Sequence, residues 1–208
     1  MTERSSKPLS ASTLTSIKSG ELYALLSVCT DDDLAPIVEV IINRFTNDIE
    51  NSEDFKQHYP HHSRYSRLIG DEIRLFGGNT FRNIFRGNEG PPYDEIVLDV
   101  CKKLDIPYDA ESTIKSENNL LTIYFERQWK MLSDEEKTEV MEEARKTASG
   151  QLSTINKLAK GGVLFALTRL HPIVGWGFLG FDLTEPNFRT TVPCVLHVAY
   201  LRKKVLDS

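Results

Sequence analysis

The sequence predicts a mainly α protein: a compact multi-helix domain with a small N-terminal helical module and an apolar C-terminal segment. Three observations carry this. Apolar residues recur at helical spacing in one stripe after another from Asp31 onward. Reciprocal capping residues stand at the heads of two helical segments, Thr30 with Asp33 and Ser133 with Glu136. No Asn-Gly or Asp-Gly pair divides two alternating runs, so the usual hairpin signal is missing. With 208 residues, 40% hydrophobic and 26% charged, the chain can bury a core. That composition excludes a disordered, collagen-like or disulfide-scaffold chain, and the length excludes a TIM barrel of ordinary size.

The elements follow in order. Residues 1–20 are polar and read as a flexible tail. Residues 21–50 form the small N-terminal module. In it Leu34, Ile37, Val38, Ile41, Ile42 and Phe45 keep the i, i+3, i+4, i+7 pattern, and Pro36 is taken as a first-turn proline. Residues 51–146 form the helical domain. Its first stripe is Tyr65, Leu68, Ile69, Ile73 and Phe76, closed by Gly77-Gly78 as a left-handed C-cap. A short helix starts at Asn79 or Thr80. The next stripe is Tyr93, Ile96, Val97, Val100, Cys101 and Leu104, stopped before Pro107. Another helix runs from about Glu117 to Leu132, and a charged one from the Ser133 cap through Lys146. Residues 147–208 form an apolar and basic C-terminal segment packed on the helical domain. Its last helix is expected to begin at Thr191 or Val192, with Pro193 in a first helical position.

Charge is divided unevenly. Residues 1–144 carry 16 Lys/Arg and 27 Asp/Glu, a balance of −11, and residues 145–208 carry 9 and 3, a balance of +6. The acidic part repels nucleic acid, so no nucleic-acid partner is expected. The basic end suits an anionic membrane, an acidic partner, or the acidic part of its own chain. Cys29, Cys101 and Cys194 are scattered and odd in number, which fits buried thiols in a reducing compartment. No apolar leader opens the sequence, and a cytoplasmic location is the expectation. Residues 163–181 are mostly apolar and long enough to span a bilayer. Arg169 near their middle costs about 2.5–3.5 kcal/mol on insertion, and Pro172 with three glycines weakens a helix. A buried or surface-docked hairpin is therefore expected there, with peripheral membrane contact as the alternative.

Several motifs carry little chemistry. Gly175, Gly177 and Gly180 match GxGxxG, but no strand precedes them and no acidic residue stands about 20 positions on. His58, His61 and His62 cluster around Pro60 without a carboxylate at matching helical spacing. No metal, cofactor or catalytic residue is assigned. The most informative stretch is Leu75–Arg86. Asn79 or Thr80 can cap a helix on which Phe81, Ile84 and Phe85 share one face, while Arg82 and Arg86 are i, i+4 neighbours on another. Free backbone N–H groups beside two guanidinium groups suit an anionic or acidic protein partner, so Asn79, Thr80, Arg82 and Arg86 are the candidate contact residues. The alternative is structural, with the arginines paired to Glu72, Asp94 or Asp99.

These residues carry a resemblance. Phe76-Gly77-Gly78-Asn79-Thr80-Phe81, Asn83, Phe85-Arg86-Gly87, Tyr93 and the run Leu98-Asp99-Val100-Cys101-Lys102-Lys103-Leu104 resemble the bacterial YaaW-like family. His171-Pro172-Ile173-Val174-Gly175-Trp176, Asp182, Pro186, Phe188-Arg189, Thr191-Val192-Pro193-Cys194-Val195 and Ala199-Tyr200-Leu201-Arg202 are similar to its closing motif. Phe76, Gly77, Gly78, Phe81, Trp176, Arg189 and Pro193 are the structural members of the two motifs. The resemblance covers about residues 22–204. It implies a domain grouped with ubiquinol–cytochrome-c chaperones, and no catalytic residues. The expected function is non-enzymatic protein binding, chaperone-like or assembly-factor-like. The alternative is an immunity, defence or stress protein that neutralises a basic toxin or effector, for which an acidic surface is suited.

Overall fold

The computed structural model describes residues 9–42, 48–77, 90–147 and 186–207. Every regular element among the described residues is helical. α1 (Ala11–Lys18) and α2 (Leu22–Leu26) form an N-terminal pair. α3 (Asp31–Ile42), α4 (Asp48–Asn51) and α5 (Glu53–His58) follow. A 3-10 turn, His62–Tyr65, leads into α6 (Ser66–Gly77). Then come α7 (Tyr93–Lys103), α8 (Thr113–Met131), α9 (Asp134–Thr147) and α10 (Pro186–Leu206).

Both capping boxes form. The Thr30 N–H donates to Asp33 Oδ2 at 3.1 Å and the Asp33 N–H to Thr30 Oγ1 at 3.2 Å. The Ser133 N–H donates to Glu136 Oε2 at 2.8 Å and the Glu136 N–H to Ser133 Oγ at 3.2 Å. Each satisfies two otherwise orphaned donors at a helix start. Ser10, Ser52 and Ser112 cap α1, α5 and α8 in the simpler one-bond way.

Three expectations are corrected. Residues 11–18 are not tail but helix, capped by Ser10 and anchored by the fully buried Ile17. An eight-residue helix with one buried side chain leaves no stripe to read. Pro36 is the sixth residue of α3 rather than a first-turn residue. Pro193 lies inside α10, and it is Pro186 that holds the first helical position. The Pro193 ring forfeits the bond to the Arg189 carbonyl. The helix continues because every residue from Thr190 to Arg202 is buried, so burial outweighs the local defect.

That burial sets the architecture. α10 packs against α2, α3, α6, α7 and α8, so it runs through the domain instead of lying on it. Ile17, Leu25, Leu34, Ile41, Ile69, Ile96, Leu120, Val195 and Leu201 belong to one apolar core, which the N-terminal module shares with the rest. Cys29, Cys101 and Cys194 are buried free thiols. No described helix is long and apolar enough to cross a membrane, and residues 163–181 lie outside the described residues.

Candidate functional site

The two sequence motifs meet at the C-terminal end of α6. Thr191 Oγ1, on α10, donates to the Phe76 carbonyl at 3.2 Å. Beside it α6 and α7 approach closely at Gly77. A Cβ there would lie 2.6 Å from Ile96 Cγ1, which forbids any side chain without movement. Of the Gly77-Gly78 pair expected to form a left-handed C-cap, Gly77 does not have positive φ, and Gly78 lies outside the described residues. Gly77 is required by the α6–α7 contact.

The chain returns at Gly90, again by close backbone contact. A Cβ on Gly90 would lie 2.2 Å from the carbonyl carbon and oxygen of Arg74. The Arg74 side chain holds the same point. Its Nε donates to the Pro91 carbonyl at 2.9 Å and its Nη2 to the Gly90 carbonyl at 2.7 Å. Its Nη1 donates to the Tyr23 hydroxyl at 2.8 Å, and that hydroxyl donates to Asp71 Oδ1 at 2.6 Å. The Tyr23 hydroxyl is pushed up in pKa by burial and by Asp71, with Arg74 acting against them.

Of the predicted site residues, the structure brings Phe76 and Gly77 to this corner. Pro193 is buried two positions beyond Thr191, and Arg189 is exposed on the first turn of α10. The neighbouring Phe188 ring lies 5.3 Å from the Lys103 ammonium, a cation–π distance. Gly78, Asn79, Thr80, Phe81, Arg82, Arg86 and Trp176 lie outside the described residues.

Deeper in the molecule, charge is spent on holding helices together. Arg202 and Glu117 are both almost fully buried, with Arg202 Nε donating to Glu117 Oε2 at 2.7 Å. Arg202 also donates to the carbonyls of Ile17 at 3.0 Å, Gly20 at 3.0 Å and Glu21 at 3.2 Å. The Tyr93 hydroxyl donates to Glu117 Oε1 at 2.9 Å. Burial pushes the Glu117 carboxyl up, against the Arg202 guanidinium and the Tyr93 hydroxyl, which hold it down. A second link joins Lys204 Nζ to Asp33 Oδ1 at 2.5 Å, while His197 Nε2 meets the Asp33 carbonyl at 2.8 Å. Burial would raise the Asp33 carboxyl, but the Lys204 ammonium and the Thr30 N–H leave it below its ordinary value. Both ion pairs join the basic end to the acidic part of the same chain, so self-complementarity absorbs part of the charge asymmetry.

The histidine cluster divides between separate partners. His61 Nδ1 approaches Asp31 Oδ2 at 3.3 Å, and His62 Nδ1 pairs with the Tyr65 hydroxyl at 2.5 Å. Among the described residues no three His, Cys, Asp or Glu side chains are grouped to hold a metal ion. The Cys101 thiol is pushed up to about 11 by burial and by Glu117, away from a thiolate at neutral pH.

Sequence reasoning named Arg202 only as part of the closing motif and not as a buried ion-pair partner, and it missed the contacts of Glu117, Tyr23 and Arg74. For Arg202 a signal existed. It falls four residues after Val198 and three after Ala199, at an apolar-periodic position where a charge must find a buried partner. Tyr23 and Arg74 offered none, because a hydrogen bond between residues 51 apart leaves no local pattern.

The chain is 30% identical over 224 aligned positions to a UPF0174 protein of Helicobacter pylori strain J99, covering 85% of this chain and 88% of that protein. It is 30% identical over 220 positions to the UPF0174 protein YaaW of Escherichia coli O157:H7, covering 86% of this chain and 92% of that one. A UPF0174 protein of Helicobacter pylori strain 26695 is 28% identical, over 76% of this chain and 97% of its own length. No family model matches the chain, and no solved structure matches it significantly.

Proposed function

The chain belongs to the UPF0174 family, and from that premise we propose a non-enzymatic protein-binding protein, chaperone-like or assembly-factor-like, whose partner contact is Asn79, Thr80, Arg82 and Arg86. The observation that carries this is the bond from Thr191 to the Phe76 carbonyl. It draws the two motifs of the family resemblance to one corner, at the point where the described chain leaves for Asn79, Thr80, Arg82 and Arg86. The buried ionisable groups Arg202, Glu117 and Asp33 support the same reading, since Arg202 with Glu117, and Asp33 with the exposed Lys204, are engaged in bonds between helices. Two arginines four residues apart suit an acidic segment of a client protein.

A second reading rests on α9. Its side chains Asp134, Glu135, Glu136, Glu139 and Glu142 are exposed, an acidic surface suited to a basic toxin or effector. Affinity capture with the full chain separates the two. Recovery of many unfolded clients supports the chaperone-like reading, and one stoichiometric basic partner supports neutralisation. Under the first reading, Arg82→Ala with Arg86→Ala abolishes capture and leaves the Tm almost unchanged. A large drop in Tm moves both arginines to structural ion pairing and overturns the proposed contact.

A further inference from the structure

Two oppositely charged features stand on the surface. Residues 55–70 carry three Lys/Arg and no Asp or Glu, inside a part of the chain that is otherwise acidic. Exposed lysines elsewhere take nearby carboxylates: Lys115 meets Asp109 at 2.9 Å and Lys203 meets Asp207 at 3.0 Å. Arg64, in the 3-10 turn, and Arg67, in the first turn of α6, are exposed three positions apart and meet no carboxylate among the described residues. Arg67 lies over the Tyr23 ring at 5.7 Å. Tyr59, 56% exposed, has its ring against His62 of the same turn. The opposite feature is α9. Residues 134–143 carry six Asp/Glu and one Lys, and the helix packs extensively against no other described helix. Glu139 and Glu142 are exposed, also three positions apart, and meet no cation among the described residues. Met131, 54% exposed, stands just before α9.

We propose that the chain self-associates as a two-fold dimer, in which Glu139 and Glu142 of one copy meet Arg64 and Arg67 of the other and Met131 packs on Tyr59. Charge complementarity selects a second copy as the occupant: one chain offers both halves, and within that chain no ion pair joins them. A two-fold axis makes the contact twice. Guanidinium groups hold carboxylates in directed, charge-assisted bonds. A thioether against an aromatic ring adds the apolar centre that exposed ion pairs alone lack. The remaining acidic surface repels a second copy, so the cationic turn fixes where the two can meet. The dimer goes beyond the client-binding reading and leaves it intact, and it competes with the neutralisation reading for α9.

Sedimentation equilibrium of the full chain across about 1–100 μM tests this. The wild type should dimerise, with a Kd that rises about tenfold between about 50 mM and about 500 mM salt. Arg64→Glu with Arg67→Glu should weaken the dimer about a hundredfold, as should Glu139→Lys with Glu142→Lys, since each sets like charges together at both contacts. An equimolar mixture of the two variants should recover a heterodimer, because opposite charges then face each other at both contacts. A wild type that stays monomeric, a dimer indifferent to both reversals, or a mixture that stays monomeric overturns the proposal. If a reversed variant fails to fold, Arg64→Gln with Arg67→Gln and the salt series decide, and dimerisation that ignores both overturns it. A monomer that binds one basic protein through α9 also overturns the dimer, while supporting neutralisation.

Discussion

Arg202 reaches Glu117 and three backbone carbonyls from a position without solvent, so its loss strands a buried carboxylate. Arg202→Met should cost about 3–5 kcal/mol in urea unfolding, and adding Glu117→Leu should recover much of it, because the unpaired charge goes too. Gly77 gives a different kind of prediction. Gly77→Val should cost about 1–3 kcal/mol by overpacking against Ile96, read as a lower Tm. Ile96→Ala in the same chain should return part of that loss, which a left-handed backbone at Gly77 would not allow. At this scale the sequence was legible where interactions are local. The Thr30–Asp33 and Ser133–Glu136 boxes close over three residues and could be read directly. That Gly77 mattered was legible too, but the reason was not, because Ile96 belongs to another helix.

Among the elements, the stripes of α3, α6 and α7 predicted helices close to those found, since each presents enough buried positions to show a period. α1 escaped notice because a single residue, Ile17, faces the core. The start of α10 was misplaced because local propensity puts a proline at a helix start, whereas burial carries this helix through Pro193. α9 is the element whose stability depends most on its own caps, since its first-turn acids and its capping box are all exposed. Ser133→Ala should weaken it by about 1 kcal/mol. Faster amide exchange in Asp134–Thr147, with little change in α7, is the expected result. Of the candidate site, the sequence marked Phe76 and Gly77 but not the Tyr23–Arg74 hold beside them, which depends on tertiary geometry.

For the molecule as a whole, acid is the revealing perturbation. Burial holds His197 neutral and lowers its pKa from 6.5 to about 4. Below pH 6.5 the unfolded chain gains a proton that the folded chain refuses, so stability falls as the pH drops toward 4 and then levels off. The loss amounts to at most about 3 kcal/mol. His62, lowered by burial, acts in the same direction. Asp33 is lowered as well, and its contribution is lost only further down, as the pH falls through its folded value below 3.8. Urea unfolding from about pH 7 to about pH 4 should show the slope, and His197→Gln should flatten it. The central place of α10 also sets an order in time. Its bonds to Ile17, Asp33 and Phe76 span 185, 164 and 115 residues, unusually non-local for an all-helical protein. On the ribosome, α1–α9 emerge before α10, and residues 148–185 alone take about 2–8 s to synthesise. During that interval the faces of α2, α3, α6, α7 and α8 that α10 covers have no native cover. Refolding should accordingly be slower than topologically local helical bundles achieve, with the slow phase vanishing from the kinetics of the isolated local helices and appearing only when α10 docks.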